Sequence, residues 1–331
     1  MRVEPRSPLR RPHTEAVTND AAVAPASPLT LPPRLAPGST IGIAAVSRPP
    51  DPERLGKGVD VLERLGYAVV LASNIGARHG PFAGTDAQRG DGYRELLRDP
   101  RVDAIFFARG GYGASRILAR LDVAEIRTRP VIHLGGSDLT ALFAFIGRHA
   151  ELTTFYGPMV AVDMTQPPPL DWEAVLSGQT PAPHRSAPEN VHAGGVGSGP
   201  LVGGCLSLLA AACGTPEAVV GRGAVLFWED VGEDTYRLDR MLTQLERSGT
   251  FDGLQAMLIG SISPGTRGGE SPEAVGLWLR DFFAGAPFPV LSGFPAGHLP
   301  GPRTLPLGAP VHVDAERGLV EFSGPAVAGA R

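Results

Sequence analysis

Between residues 41 and 149 short apolar runs alternate with segments of helical length, and few architectures accommodate that order. The apolar runs are Ile41-Gly-Ile-Ala-Ala-Val46, Ala68-Val-Val-Leu71, Ala104-Ile-Phe-Phe-Ala108 and Pro130-Val-Ile-His-Leu134, and helices are expected near 51–66, 86–98, 114–121 and 138–149. Strands of this length separated by helices predict a parallel sheet covered by helices, an α/β fold. With 331 residues there is room for a second domain. A helix over 201–213, a strand over 224–228, an amphipathic helix near 235–248, a strand over 256–261, a helix near 272–284 and short terminal strands predict a smaller mixed α/β domain.

Composition supplies the boundaries. Residues 163–199 are rich in Pro, Gly, Ala and Ser, with one short helical candidate over 172–176, and read as a linker. Residues 1–33 have no apolar periodicity and read as a disordered tail. The expected domains are therefore 34–162 and 200–331. Thirty basic and thirty-four acidic residues give a net charge of −4 without a polybasic run, which argues against a nucleic-acid partner. No stretch reaches the roughly 18 consecutive apolar residues of a membrane helix. Arg10-Arg11 has no apolar segment behind it, so no export signal is expected. Cys205 and Cys213 share one apolar run and read as buried reduced thiols, which fits a cytoplasmic protein.

The segment Leu134-Gly-Gly-Ser-Asp-Leu-Thr140 carries the most chemistry. A strand that enters a helix through two glycines and a serine can hold the Ser137 hydroxyl outward, with the next amide aimed at a developing oxyanion. On sequence chemistry alone the favoured reading of the same serine is a helix N-cap. A second loop, Arg109-Gly-Gly-Tyr-Gly-Ala114, also joins a strand to a helix, but it lacks a complete dinucleotide fingerprint or a phosphate-loop lysine. The two loops together suggest a pocket at the carboxyl edge of the sheet. The glycine-dense run 194–199 reads as linker. Of eight histidines, His298 stands in a loop crowded with Gly and Pro, where a base can be positioned. His133 belongs to a core strand. In the cluster Trp228-Glu-Asp-Val-Gly-Glu-Asp234 a carboxylate could orient an imidazole; Glu233 and Asp234 read instead as first-turn residues of the next helix, an account that Glu229, at the strand end, escapes best. No His or Cys spacing fits a metal site.

Several segments in one order resemble the serine LD-carboxypeptidases (muramoyltetrapeptide carboxypeptidases), a family that includes the microcin C self-immunity peptidases. They are Gly80-Pro-Phe-Ala-Gly-Thr-Asp-Ala-Gln-Arg89, Ala108-Arg-Gly-Gly-Tyr-Gly-Ala114, Gly136-Ser-Asp-Leu-Thr-Ala-Leu142, Gly157-Pro-Met159, Gly203-Gly-Cys-Leu-Ser-Leu-Leu209, Glu229-Asp-Val with Tyr236-Arg-Leu-Asp-Arg-Met-Leu242, and Gly293-Phe-Pro-Ala-Gly-His298 with Thr304-Leu-Pro-Leu-Gly308. The resemblance implies Ser137 as nucleophile, His298 as general base and Glu229 as its orienting acid. The oxyanion donors would be the amide of Asp138 and one from Gly110 or Gly111. It also implies a domain like the class I glutamine amidotransferases followed by a swivelling β/β/α domain, and a homodimer. Neither metal nor organic cofactor is implied. The implied reaction cuts a terminal D-amino acid from an L-centre of a murein peptide. Gly135-Gly136-Ser137, Phe155-Tyr156-Gly157 and Gly203-Gly204-Cys205 depart from the family's Gly-Tyr-Ser, Thr-His-Gly and Gly-Gly-Asn. These departures bear on pocket shape.

Three alternatives stand beside that reading. An aminoacyl-nucleotide hydrolase would need an aromatic to stack on a base, for which Trp172 is the candidate. An unrelated α/β-hydrolase is disfavoured by the absence of GxSxG. A catalytically silent peptide-binding module shares the two-domain layout.

Overall fold

The computed structural model describes residues 29–165, 171–264 and 271–329, arranged in two compact units. Residues 1–28 of the expected tail lie outside the described residues. Residues 29–33 do not form a tail, since Thr30 bridges Leu152 and Pro33 bridges Ala328.

The first unit takes in residues 29–181, 299–309 and 324–329 among those described. Its strands β1 (Thr40–Ala44), β2 (Ala68–Leu71), β3 (Val102–Phe107), β4 (Ile132–Gly135) and β5 (Thr154–Tyr156) pair in parallel in the order 5-4-3-1-2, and Leu305–Leu307 adds antiparallel to β5. Ile41, Ile43, Ile105, Phe106, Phe107, Ile132 and Leu134 are wholly buried. Such continuous apolar burial is what a parallel sheet covered on both faces requires. The flanking helices start where their sequences supply caps. Asp51 accepts from the Arg54 amide before Pro52–Arg64, and Thr85 and Gln88 form a capping box before Asp86–Arg98.

Two expected helices differ from the structure. The one near 114–121 is Ala114–Ile117 followed by a 3₁₀ turn, and the one near 138–149 is Leu139–Phe145 followed by a π-helical turn, Ile146–Ala150. Strand order reverses between β1 and β3. The loops leaving β1, β3 and β4 are consequently neighbours at the carboxyl edge, where ligands bind in sheets of this kind.

The second unit takes in residues 182–264, 271–298 and 310–323 among those described. Strands β6 (Val196–Cys205), β7 (Val225–Glu233) and β8 (Ala256–Pro264) are parallel neighbours. Val290–Leu291 and Val191–Ala193 extend the sheet beyond β8, and Pro310–Asp314, Leu319–Phe322 and His184–Arg185 extend it beyond β6. The expected linker 163–199 is therefore not one: much of 182–199 is sheet, and the chain passes between units at residues 181 and 182.

The helix expected over 201–213 is also corrected. The strand β6 runs to Cys205 and only Leu206–Ala211 is helical. The cause is Gly203, whose φ is +127° and where a Cβ would stand 1.8 Å from the Phe227 carbonyl oxygen. Gly197 and Gly199 approach the carbonyls of Gln255 and Gly223 as closely, with a Cβ at 1.9 and 2.3 Å. An apolar count cannot register such contacts.

Helix Thr235–Arg247 buries Leu238, Leu242 and Leu245, one helical stripe, against Leu226, Trp228, Met257 and Ile259. The Trp228 indole donates to the Met257 sulfur at 3.2 Å. Since Leu226 and Trp228 face this helical layer, strand alternation turns Phe227 and Glu229 to the opposite face, where both lie against Gly260. No helix among the described residues is long and apolar enough to cross a membrane.

Replacing Gly203 by alanine should lower unfolding free energy by about 3 kcal/mol, from steric overlap plus an unfavourable φ. Chemical denaturation of Gly203→Ala checks this. A Gly203→Ala protein as stable as the parent would mean that β6 does not pack as described.

Candidate active site

In the first unit, β4 ends at Gly135 and the chain turns through Gly136 and Ser137 into Leu139–Phe145. Ser137 has φ +58°, a left-handed conformation costing a serine on the order of 1–3 kcal/mol. The N-cap alternative fails here. The capping position belongs to Asp138, which makes no side-chain cap bond, and it is the Ser137 carbonyl that accepts from the Thr140 amide and, at 2.7 Å, from its hydroxyl. The Ser137 amide donates to the Tyr156 hydroxyl at 2.8 Å. From the neighbouring loop, Gly110 packs so closely that a Cβ there would lie 2.8 Å from Ser137 Cβ and 3.0 Å from its Oγ. Any other residue at 110 would displace the hydroxyl. Among the described residues the amides of Asp138, Gly110 and Gly111 meet no acceptor, so all three are available as donors.

The Asp138 carboxylate joins the three loops. It is wholly buried, and its Oδ2 accepts from the Ser47 hydroxyl at 2.5 Å, after β1, and from the Ala114 amide at 2.8 Å, after β3. Burial raises its pKa, opposed by those two hydrogen bonds and by the Arg89 charge. Arg89, also wholly buried, donates to the carbonyls of Val46 and Gly113 (2.7 Å for the latter) and pairs with Asp86. One guanidinium thus fastens the same two loops from the other side. His133 is a core residue as the sequence suggests. It bonds Tyr93 at 2.8 Å and the Val131 carbonyl, and burial lowers its pKa to about 4.

In the second unit, Glu229 and His298 meet. Glu229 Oε2 lies 2.7 Å from His298 Nδ1 and accepts from the His298 amide at 3.2 Å. The carboxylate is wholly buried, whereas the imidazole keeps 24% of its surface exposed. A carboxylate on Nδ1 fixes the proton there, which leaves the Nε2 lone pair to act as base. Asp230 next door points the other way, as alternation demands. Its Oδ2 accepts from the Ser207 amide at 2.7 Å, inside the first turn of Leu206–Ala211, and burial raises its pKa. Glu233 is the last residue of β7 and pairs with Arg237 at 3.2 Å; it is not in the helix, contrary to expectation, and Asp234 occupies the N-cap without a side-chain bond. Cys205 is buried and its thiol is pushed well up by burial and by the charges of Asp230 and Glu229, so it is no nucleophile at neutral pH. Cys213 is only half-buried, and neither cysteine forms a disulfide.

The sequence residues thus fall into two groups. Ser137, Asp138, Gly110 and Gly111 gather in one unit, and Glu229 and His298 in the other. Ser47, Arg89 and Tyr156 escaped sequence reasoning. Arg89 closes a quoted motif and Tyr156 sits in one of the departures, but only contacts reveal their tasks. Trp172 is corrected. It is 3% exposed, edge-on to Phe106 at 5.3 Å, and is a core residue that cannot stack on a base. Among the described residues no three His, Cys, Asp or Glu side chains converge as metal ligands.

A serine on a strand-to-helix elbow and a carboxylate-held imidazole are the working parts of a serine hydrolase. Residues 41–157 match the LD-carboxypeptidase N-terminal domain and residues 198–313 the LD-carboxypeptidase C-terminal domain, so the chain belongs to the LD-carboxypeptidase family. A Streptomyces coelicolor protein named as a putative carboxypeptidase is 39% identical, over 90% of this chain and 98% of its own. A Bacillus subtilis protein named as a probable murein peptide carboxypeptidase is 36% identical, over 82% and 88%. The solved structure of MccF in complex with glutamyl sulfamoyl guanosine superposes with a TM-score of 0.81 at 26% identity, over 90% of this chain and 99% of that one.

Because burial raises Asp138, the folded protein retains a proton that the unfolded chain releases near pH 4. The stability this contributes is present below that pH and declines as pH rises through the folded pKa. Asparagine does not titrate. The unfolding free energy of Asp138→Asn relative to the parent should therefore improve as pH rises from 4 toward 8 and level off above the folded pKa of Asp138, whatever its value at pH 4. A constant difference across that range would contradict the raised pKa.

Proposed function

We propose that this carboxypeptidase hydrolyses the bond between an L-configured centre and the terminal D-amino acid of murein-derived peptides, in the cytoplasm and as a homodimer. In this reading Ser137 is the nucleophile, His298 the general base and Glu229 the acid that orients and stabilises it. The observation that carries the proposal is the 2.7 Å contact between a wholly buried carboxylate and His298 Nδ1. Such a contact has the geometry needed to set the tautomer and to stabilise an imidazolium.

The Ser137 Oγ–H proton passes to His298 Nε2 as Oγ bonds to the scissile carbonyl carbon. Negative charge on the carbonyl oxygen is met by the amide of Asp138 with that of Gly110 or Gly111. The tetrahedral species collapses when His298 returns the proton to the leaving amine, which frees the D-amino acid. Water, deprotonated by the same nitrogen, then attacks the acyl-enzyme and restores the serine. Murein peptide as substrate is supported by the name of the Bacillus subtilis relative, and two cysteines outside any disulfide suit a reducing compartment.

The test is mass-spectrometric detection of D-alanine released from murein tri-, tetra- and pentapeptides. Ser137→Ala should abolish release while the protein stays folded. Glu229→Gln should lose several orders of magnitude in kcat, by comparison with about 10⁴ for the aspartate of the serine-protease triad. Asp230→Asn should lose chiefly stability, on the order of 1 kcal/mol, because its carboxylate caps a helix. An active Glu229→Gln beside a dead, folded Asp230→Asn would assign the wrong acid.

A further inference from the structure

Most arginines of the first unit are committed to other groups. Arg89, Arg98, Arg101 and Arg116 pair with carboxylates, and Arg54 donates to the carbonyls of Ala161 and Val162. Arg109 and Arg48 differ. Arg109 directly precedes the glycine that packs on Ser137, and its Nε donates to the Gly110 carbonyl at 3.3 Å. Among the described residues its two terminal nitrogens meet no acceptor. The Arg48 chain lies across the next residue, Gly111, where a Cβ would come within 2.7 Å of its Cγ and Cδ. Its guanidinium also pairs with no carboxylate among the described residues, and the side chain is exposed.

We propose that Arg109, assisted by Arg48, is the subsite that grips the terminal carboxylate of the peptide substrate. This rests on Ser137 being the nucleophile of a carboxypeptidase. With Nε engaged, Arg109 presents its planar edge of two NH₂ groups, which matches the two oxygens of a carboxylate. Position fits as well. The carboxylate of a single terminal residue lies about one residue length, roughly 3.8 Å, beyond the scissile carbonyl. Gly110 touches Ser137, and Arg109 is the next residue back along the chain. Burial and the charges of Arg48 and Arg54 already press Arg109 below the usual arginine range, a repulsion that a bound anion would relieve. Two cations at this place restrict cleavage to the last residue, since a peptide extending further presents no charge there.

The experiment compares two murein tetrapeptides that end in D-alanine, one as the free acid and one as the amide. The parent enzyme should favour the acid by on the order of 100-fold or more in kcat/KM, because the amide leaves the fork of Arg109 without its charged partner. In Arg109→Ala the preference should collapse toward unity through loss on the acid. Arg109→Lys, which keeps the charge but not the fork, should fall between, and Arg48→Met should lose less than Arg109→Ala. The same ranking should appear in acid-peptide Kd values measured by calorimetry in the Ser137→Ala background, a readout that does not require turnover. Equal rates for acid and amide in the parent, or an undiminished preference in both Arg109 variants, would overturn the subsite. A parent that binds the acid peptide selectively yet releases no D-alanine would refute the carboxypeptidase reading while leaving the subsite standing.

Discussion

The Asp138 carboxylate is the contact on which the first unit's site depends. Three loops leave the carboxyl edge of a parallel sheet, and loops there carry little apolar surface to pack them. One wholly buried oxygen, bonded to Ser47 in one loop and Ala114 in another, while its own backbone belongs to the third, sets their separations. The cost of burying it is visible in its raised pKa, and it is tolerated because both donors are present. Arg89 repeats the device with opposite charge, fastening Val46 and Gly113. The left-handed turn at Ser137 persists because its surroundings are over-determined in this way.

The second unit solves a different problem, that of placing two adjacent carboxylates in unlike environments. Glu229 and Asp230 are consecutive and both buried, and besides burial the Glu229 charge helps to raise the pKa of Asp230. The strand pleat separates them. Glu229 turns to the face where His298 donates to it twice, and Asp230 turns away from it and accepts from the Ser207 and Val231 amides. Backbone alternation thus divides structural from chemical duty between neighbours with nearly identical side chains.

How much of this was legible follows from what each feature depends on. The order of strands and helices in the first unit was readable because a parallel sheet needs long apolar runs, and Ile41–Val46 or Ala104–Ala108 admit no other use. Ser137, Glu229 and His298 stood out at a strand end or in glycine-rich loops and in motifs of a family. Strand β6 was misread because its glycines, which count against a strand by composition, are there to let two backbones touch. Residues 163–199 looked like a linker for the same reason. Tyr156, Ser47 and Arg89 act through contacts with residues 19 to 91 positions away, and no local pattern encodes such a distance.

The close seating of β6 also limits how the protein can change over evolutionary time. Gly197, Gly199 and Gly203 each abut a neighbouring carbonyl in one register only. A one-residue insertion at the start of 196–205 would slide Val196, Ser198 and Val202 onto those oxygens. Substitutions can accumulate on the outer helices and length can vary at the turns, while the three seated glycines of this strand tolerate neither. Divergent members of the lineage should therefore align without gaps through it, even where their pockets have come to take different substrates.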